Sequence, residues 1–124
     1  MADHPTDPDA LVREFCAAWK TLDVDEVMSY FADDAVYHNI PLEPAEGRDA
    51  IRGVLEMMAG MSPGIDFAIH RQVVDGNLVM NERTDTMTMG DKTVALPVMG
   101  TFEIEDGKIK AWRDYFDMGQ FTGA

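Results

Sequence analysis

Apolar residues fall at helical spacing early in the chain and at alternating positions late in it. Leu11, Phe15, Ala18 and Leu22 share one helical face, and Asp7 followed by Pro8 has the form of an N-cap and a first helical residue. Asp23 and Glu26 have the form of a capping box ahead of a second stripe, Val24, Val27, Met28 and Phe31, which predicts a helix ending near "ADD" at 32–34. A short extended run, "AVYHNI", follows. The prolines of "PLEPAEG" break the chain before Ala50, Ile51, Val54, Leu55 and Met58 predict a third helix ending around Gly60.

Beyond "MSPG" the pattern turns to four extended runs, "IDFAIHRQVVD", "NLVMNERTDTMTM", "KTVALPVMGTFEIE" and "KIKAWRDYFDM". The separators "DGN", "GD" and "DG" are short turn signals, so the runs should pair as antiparallel hairpins in a meander. In the third run Val94, Leu96, Val98, Phe102 and Ile104 alternate with Thr93, Pro97, Thr101, Glu103 and Glu105, giving one inward face and one wetter face. Helices first and strands later predict an α+β domain: a curved, mostly antiparallel sheet wrapped around a pocket and covered by three N-terminal helices. With 124 residues, the whole chain 1–124 is expected to form one domain.

Composition narrows the partners. A formal net charge of −13 disfavours nucleic acid and anionic lipid surfaces, where Lys and Arg must displace counterions. The single cysteine, Cys16, allows no internal disulfide and reads as a small core residue, and no Cys or His pair stands at zinc-ligand spacing. No long apolar run and no signal-like N-terminus is present, so a cytoplasmic location away from membranes is expected. The ten glycines read as markers of turns and helix ends, and the only serines, Ser29 and Ser62, lie in no nucleophile elbow.

The one irregularity in the strand pattern is "NERTD". Arg83 and Asp85 project on the same side as Val79, Met87 and Met89, so a charged pair faces an apolar side. Asp114 lies between Trp112 and Phe116 on a second strand face, and Tyr37 and Asn39 share a third. Parity alone leaves several readings open: a functional site, a salt bridge on a solvated or dimer-facing side, or a structural hydrogen-bond network.

"YHNIPLEP", "NERTD" and "WRDYFD", in this order and spacing, resemble the corresponding segments of the limonene epoxide hydrolase family. The resemblance extends from about the first helix to Asp117. It implies a cone-shaped fold shared with nuclear-transport-factor-like and ketosteroid-isomerase-like proteins, usually a homodimer, and hydrolysis of a small apolar epoxide by water without cofactor or metal. Carried onto this chain, it implies a catalytic set of Tyr37, Asn39, Arg83, Asp85 and Asp114. Asp114 would be the base that activates a water held by Tyr37 and Asn39, Asp85 would be the acid, and Arg83 would orient both. Resemblance and strand parity put Trp19, Met58, Met87, Leu96, Val98 and Phe116 on the pocket lining, with ordinary core packing as the alternative at each, most openly at Trp19 and Met58. Two other readings of the whole keep the fold: an isomerase or cyclase acting on a carbonyl compound, or a ligand-binding dimer module without catalysis.

Overall fold

The computed structural model describes residues 4–122. Helix α1, Pro8–Ala18, starts as its cap signals require, with Asp7 Oδ2 accepting from the Ala10 amide at 3.0 Å. It stops four residues short of Leu22, which instead sits in a turn with φ of 48° and still buries its side chain. Helix α2, Val24–Met28, is a little over one turn, capped by Asp23 Oδ1 accepting from the amides of Asp25 and Glu26.

The second helix does not run on to 32–34. Strand β1, Phe31–Asn39, already begins at Phe31, because the Ile109 amide donates to Tyr30 O at 2.8 Å and fixes the chain as an extended partner. A register shift between Phe31 and Val36 leaves both Asp33 and Asp34 exposed. A long-range backbone ladder has overridden the helical stripe. Strand β2, Ala45–Glu46, pairs antiparallel with β1, and helix α3, Arg48–Met61, buries Ile51 and Leu55.

Strands β3, Ile65–Asp75, β4, Leu78–Met89, β5, Lys92–Glu105, and β6, Lys108–Tyr115, form the predicted antiparallel meander. Asp106 and Gly107 at the last hairpin take φ of 53° and 73°, the left-handed pair that a tight turn with matching twist requires. The six strands lie in the order β2-β1-β6-β5-β4-β3, and β1 runs parallel to β6. That single parallel pairing sets Tyr37 opposite Trp112 and Asn39 opposite Asp114. A short helix α4, Met118–Thr122, follows β6; neither it nor β2 is foreshadowed by the apolar pattern.

The core lies between the helices and the inner face of the sheet, where Val94, Leu96, Val98, Phe102 and Ile104 are buried as their alternation predicts. Phe15 of α1 is its hub, meeting Trp19, Tyr30, Phe31, Phe102 and Trp112 edge-on. Among the described residues no helix is long and apolar enough to cross a membrane, which speaks of helices only.

Candidate active site

Strand β4 turns Val79, Asn81, Arg83, Asp85 and Met87 toward the inside, and all five are buried. Arg83 has no side-chain exposure, yet each of its five N–H groups has an acceptor. Nε donates to Asp85 Oδ1 at 2.9 Å and Nη2 to Asp85 Oδ2 at 2.7 Å. From β6, Asp114 receives Nη2 at 2.8 Å through Oδ2 and Nη1 at 3.2 Å through Oδ1. The second Nη1 hydrogen goes to Asn81 Oδ1 at 3.0 Å. The guanidinium carbon stands 4.6 Å from the centre of the Phe67 ring. An inward-facing charge is tolerated here because its full donor set is met; breaking such a buried pair costs about 3–5 kcal/mol.

Asp114 is held from a second direction by Trp112 Nε1, which donates to Oδ1 at 2.7 Å. The Trp112 ring stacks on Tyr37 at 4.1 Å, and the Tyr37 hydroxyl donates to Asn39 Oδ1 at 3.3 Å. Tyr37 keeps free acceptor lone pairs and Asn39 keeps its amide N–H donors, both beside Asp114.

Burial sets the proton affinities of the cluster. It pushes the Asp85 carboxyl up to about 6, against the pull of the Arg83 guanidinium and with the help of the Asp114 charge. Burial opposes the charge on Arg83 itself, but the two carboxylates outweigh it and hold the guanidinium well above its ordinary value. Tyr37 is pushed up by burial and then by the Asp114 charge, so it remains a phenol. Cys16, beneath the cluster on α1, is pushed up to about 12 by burial and remains an unreactive thiol. One guanidinium and two carboxylates balance electrically when they share one proton, which is why a buried acid here resists ionising.

These groups form the floor of a cavity of about 210 Å³. Tyr37, Asn39, Asp85 and Asp114 open onto it, while Arg83 lies behind the two carboxylates. Its walls are mostly apolar, with Met57, Met58 and Met61 of α3, Met87, Leu96 and Val98 of the sheet, and Phe116 and Met118 beyond β6; buried Ser62 and exposed Glu43 also line it. Met57 and Met61, exposed by 58% and 42%, stand at its mouth. Methionine lets such a wall adapt to the outline of a ligand.

The family model for the limonene-1,2-epoxide hydrolase catalytic domain matches residues 6–123. The chain belongs to this family. It is 38% identical over 107 residues to epoxide hydrolase EphG of Mycobacterium tuberculosis, covering 86% of this chain and 71% of that protein. The solved structure of an M. tuberculosis LEH-like epoxide hydrolase superposes with a TM-score of 0.80 at 38% identity, over 90% of this chain and 84% of that one. A putative polyketide cyclase from Xanthomonas campestris pv. campestris shares the fold, with a TM-score of 0.83 at 19% identity and 94% of each chain covered. The α+β cone architecture is therefore shared by an epoxide hydrolase and a putative polyketide cyclase, and the fold alone does not separate them.

Within this epoxide hydrolase family fold, Met58, Met87, Leu96, Val98 and Phe116 stand on the cavity wall where the sequence put them. Trp19 does not. It is fully buried behind the wall, stacked on Phe67 at 4.9 Å and edge-on to Trp112 at 5.6 Å, so core packing is the reading that holds for it. Residue 19 follows the last turn of α1, whose inner face packs against the sheet and not along the cavity. His38, alternating with Tyr37 and Asn39, is off the wall and bonds Leu42 O at 2.9 Å.

Three features of the site escaped the sequence reading. Asn81 shares the parity of Arg83, so alternation could have flagged it, but an uncharged amide raises no alarm on an apolar face. Strand parity puts Trp112 on the face of Asp114 but says nothing of its indole donor, whose bond to Asp114 depends on ring orientation. Gly100 is neither a turn nor a helix end; it lies inside β5, paired with Asn81 on one side and Asp114 on the other. A Cβ there would overlap Arg83 Nη1 and come within 2.8 Å of Asp114 Oδ1 and 3.0 Å of Asn81 Oδ1. Among the described residues no cluster of three or more His, Cys, Asp or Glu side chains is arranged to hold a metal ion.

Proposed function

We propose that the protein adds water to a small apolar epoxide, cyclic or terpenoid, to give a vicinal diol in one step. The observation that carries this reading is the guanidinium bonded to two carboxylates on the floor of a mostly apolar cavity, next to the Tyr37–Asn39 pair. The Asn39 amide donates to a water, which gives one hydrogen to a Tyr37 lone pair and the other to the Asp114 carboxylate. As Asp114 takes that proton, the water oxygen attacks one epoxide carbon. The ring C–O bond breaks, and protonated Asp85 delivers its proton to the departing oxygen.

The proton count of the cluster is the same before and after: Asp85 is emptied as Asp114 is filled. Arg83 touches both acids, so the dry site passes through the reaction without a change in its net charge. Proton exchange with water then restores the starting arrangement. The reaction as written uses only side chains of this chain and water. An isomerase working alpha to a carbonyl would need one base and gives no reason for a second acid on the same guanidinium.

Single turnover in oxygen-18 water, with limonene oxide and cyclohexene oxide as probes, tests the mechanism. Label in the diol from the first turnover is the expected result; label that appears only in later turnovers would mean an ester intermediate and defeat the one-step reading.

We further propose a cytoplasmic homodimer. The outer face of β3 to β6 exposes Val73, Met80, Met99 and Tyr115, flanked by Arg71 with Glu82 and by Arg113 with Glu103. A face carrying both charge signs around apolar side chains can match a rotated copy of itself, even in a chain of net charge −13. Light scattering on the eluting protein should give twice the chain mass; a monomer at micromolar concentration would refute it.

A further inference from the structure

Arg83 has one more donor than its two carboxylates use. Asp85 and Asp114 each take two of its contacts, and the remaining Nη1 hydrogen is met by Asn81 Oδ1, on the side of the guanidinium away from Asp85. Asn81 is 1% exposed and does not open onto the cavity. Which end of its amide faces Arg83 is decided from outside the site. Gln72 Nε2 donates to Asp9 O at 3.2 Å and to Asp9 Oδ1 at 2.8 Å, both of which can only accept. That turns Gln72 Oε1 toward Asn81, whose Nδ2 donates to it at 3.0 Å, and leaves Asn81 Oδ1 for the guanidinium. The first turn of α1 is thereby linked to the floor of the cavity through two amides. Gly100, lacking a Cβ, keeps open the space in which Nη1, Asp114 Oδ1 and Asn81 Oδ1 meet.

The charge at position 81 matters as much as the hydrogen bond. An aspartate has nearly the same shape as asparagine and would accept from Nη1, though it would lose the donor that meets Gln72 Oε1. It would also set three carboxylates around one buried guanidinium, and the group would then balance only with two protons. With asparagine, one proton suffices, so one acid and one base coexist.

We propose that Asn81 is a positioning residue for this site: it supplies the fifth, uncharged acceptor that seats Arg83 between Asp85 and Asp114 and keeps the buried cluster balanced by a single proton. Its kinetic consequence rests on the epoxide-hydrolysis reading; its effect on proton binding does not. Besides Arg83, Asp85 and Asp114, the titratable groups facing the cluster are Cys16 from α1, Tyr37 from β1 and Asp66 from β3. Of these only Asp66 is a carboxylate, and it is exposed, one residue before Phe67, which pairs with Asp85 across the β3–β4 ladder.

Asn81→Asp and Asn81→Leu separate the two contributions. Carboxyl carbon NMR of the parent, titrated from pH 8 to pH 5, should record one proton taken up by the Asp85–Asp114 pair. Asn81→Asp should take up a second, with the first midpoint raised by about one pH unit or more. Asn81→Leu should keep the parent's proton count and lose about tenfold or more in kcat with KM within about twofold, because it touches no cavity atom. A folded Asn81→Asp that titrates like the parent, or an Asn81→Leu with parental kcat, overturns the proposal. Should Asn81→Asp fail to fold, Gln72→Leu decides: releasing the Asn81 amide should lower kcat at constant KM, and parental kcat counts against us. A parent that opens no epoxide would instead defeat the functional reading, while the NMR titration would still judge the role of Asn81.

Discussion

Under α1 the inner face of the sheet is packed with aromatic rings; toward α3 the same face carries a guanidinium and two carboxylates. Phe15, Phe31, Phe102 and Trp112 interlock edge-on or stacked with essentially no exposure. Arg83, Asp85 and Asp114 are buried to nearly the same degree, but each polar atom there is committed to a named partner. Burial therefore serves two ends in one molecule. In the aromatic half it removes apolar area from water and holds the fold together. In the charged half it withholds water from acids, raising the proton affinity of Asp85 and making a proton donor available. Trp112 belongs to both, with its ring in the packed half and its Nε1 on Asp114.

The sharpest break in this comparison comes from exchanging charge for shape. Asp114→Asn and Asp85→Asn should each lower diol formation by about 10²–10⁴-fold while leaving the melting curve near the parent's, since proton transfer is lost and volume kept. Diol assays on the two purified variants check it, and near-parental turnover in either removes that residue from its role. Arg83→Lys should be impaired on a similar scale despite its retained charge, because an ammonium cannot bridge both carboxylates in one plane.

In the other half the expected loss is stability. Phe15→Ala should cost about 3–5 kcal/mol by denaturant titration, through lost burial and the cavity it leaves. Turnover per folded molecule should fall far less than in the aspartate variants.

The pH dependence sharpens the same contrast. In the proposed reaction Asp85 acts protonated, and burial pushes its carboxyl up to about 6, so kcat/KM should fall as pH rises through about 6. Apolar substrate displaces water from the cavity and raises the acid further, so the alkaline limb of kcat should lie at higher pH than that of kcat/KM. An alkaline limb that survives unmoved in Asp85→Asn would sever the link. At the small end, Arg52→Ala breaks the exposed pair with Asp25, 2.9 Å apart, and should change stability by about 1 kcal/mol or less with turnover unaffected.

The main elements were legible because their signals are local. The caps at Asp7 and Asp23, the turn residues at 106 and 107, and the alternation along β5 each act within a few residues. Where local pattern and long-range pairing disagreed, pairing won: the stripe through Phe31 was helical in period, yet Phe31 joins the sheet beside Ile109. Of the site, the charged trio stood out because charges on an apolar strand face demand explanation. Asn81 and Gly100 did not, since neither an amide nor a missing side chain breaks the pattern.

By itself the sequence determined which strand faces turn inward and that Arg83 and Asp85 share one, because side-chain alternation is a property of any extended chain. It could not determine that Asp114 lies across from them, that Trp19 falls behind the cavity wall, or that Asn81 holds the fifth donor. Those depend on the packing of α1 against the sheet and on the register that sets Gly100 between Asn81 and Asp114. Register is fixed by the sum of many weak contacts across the whole sheet, and no short stretch of sequence contains that sum.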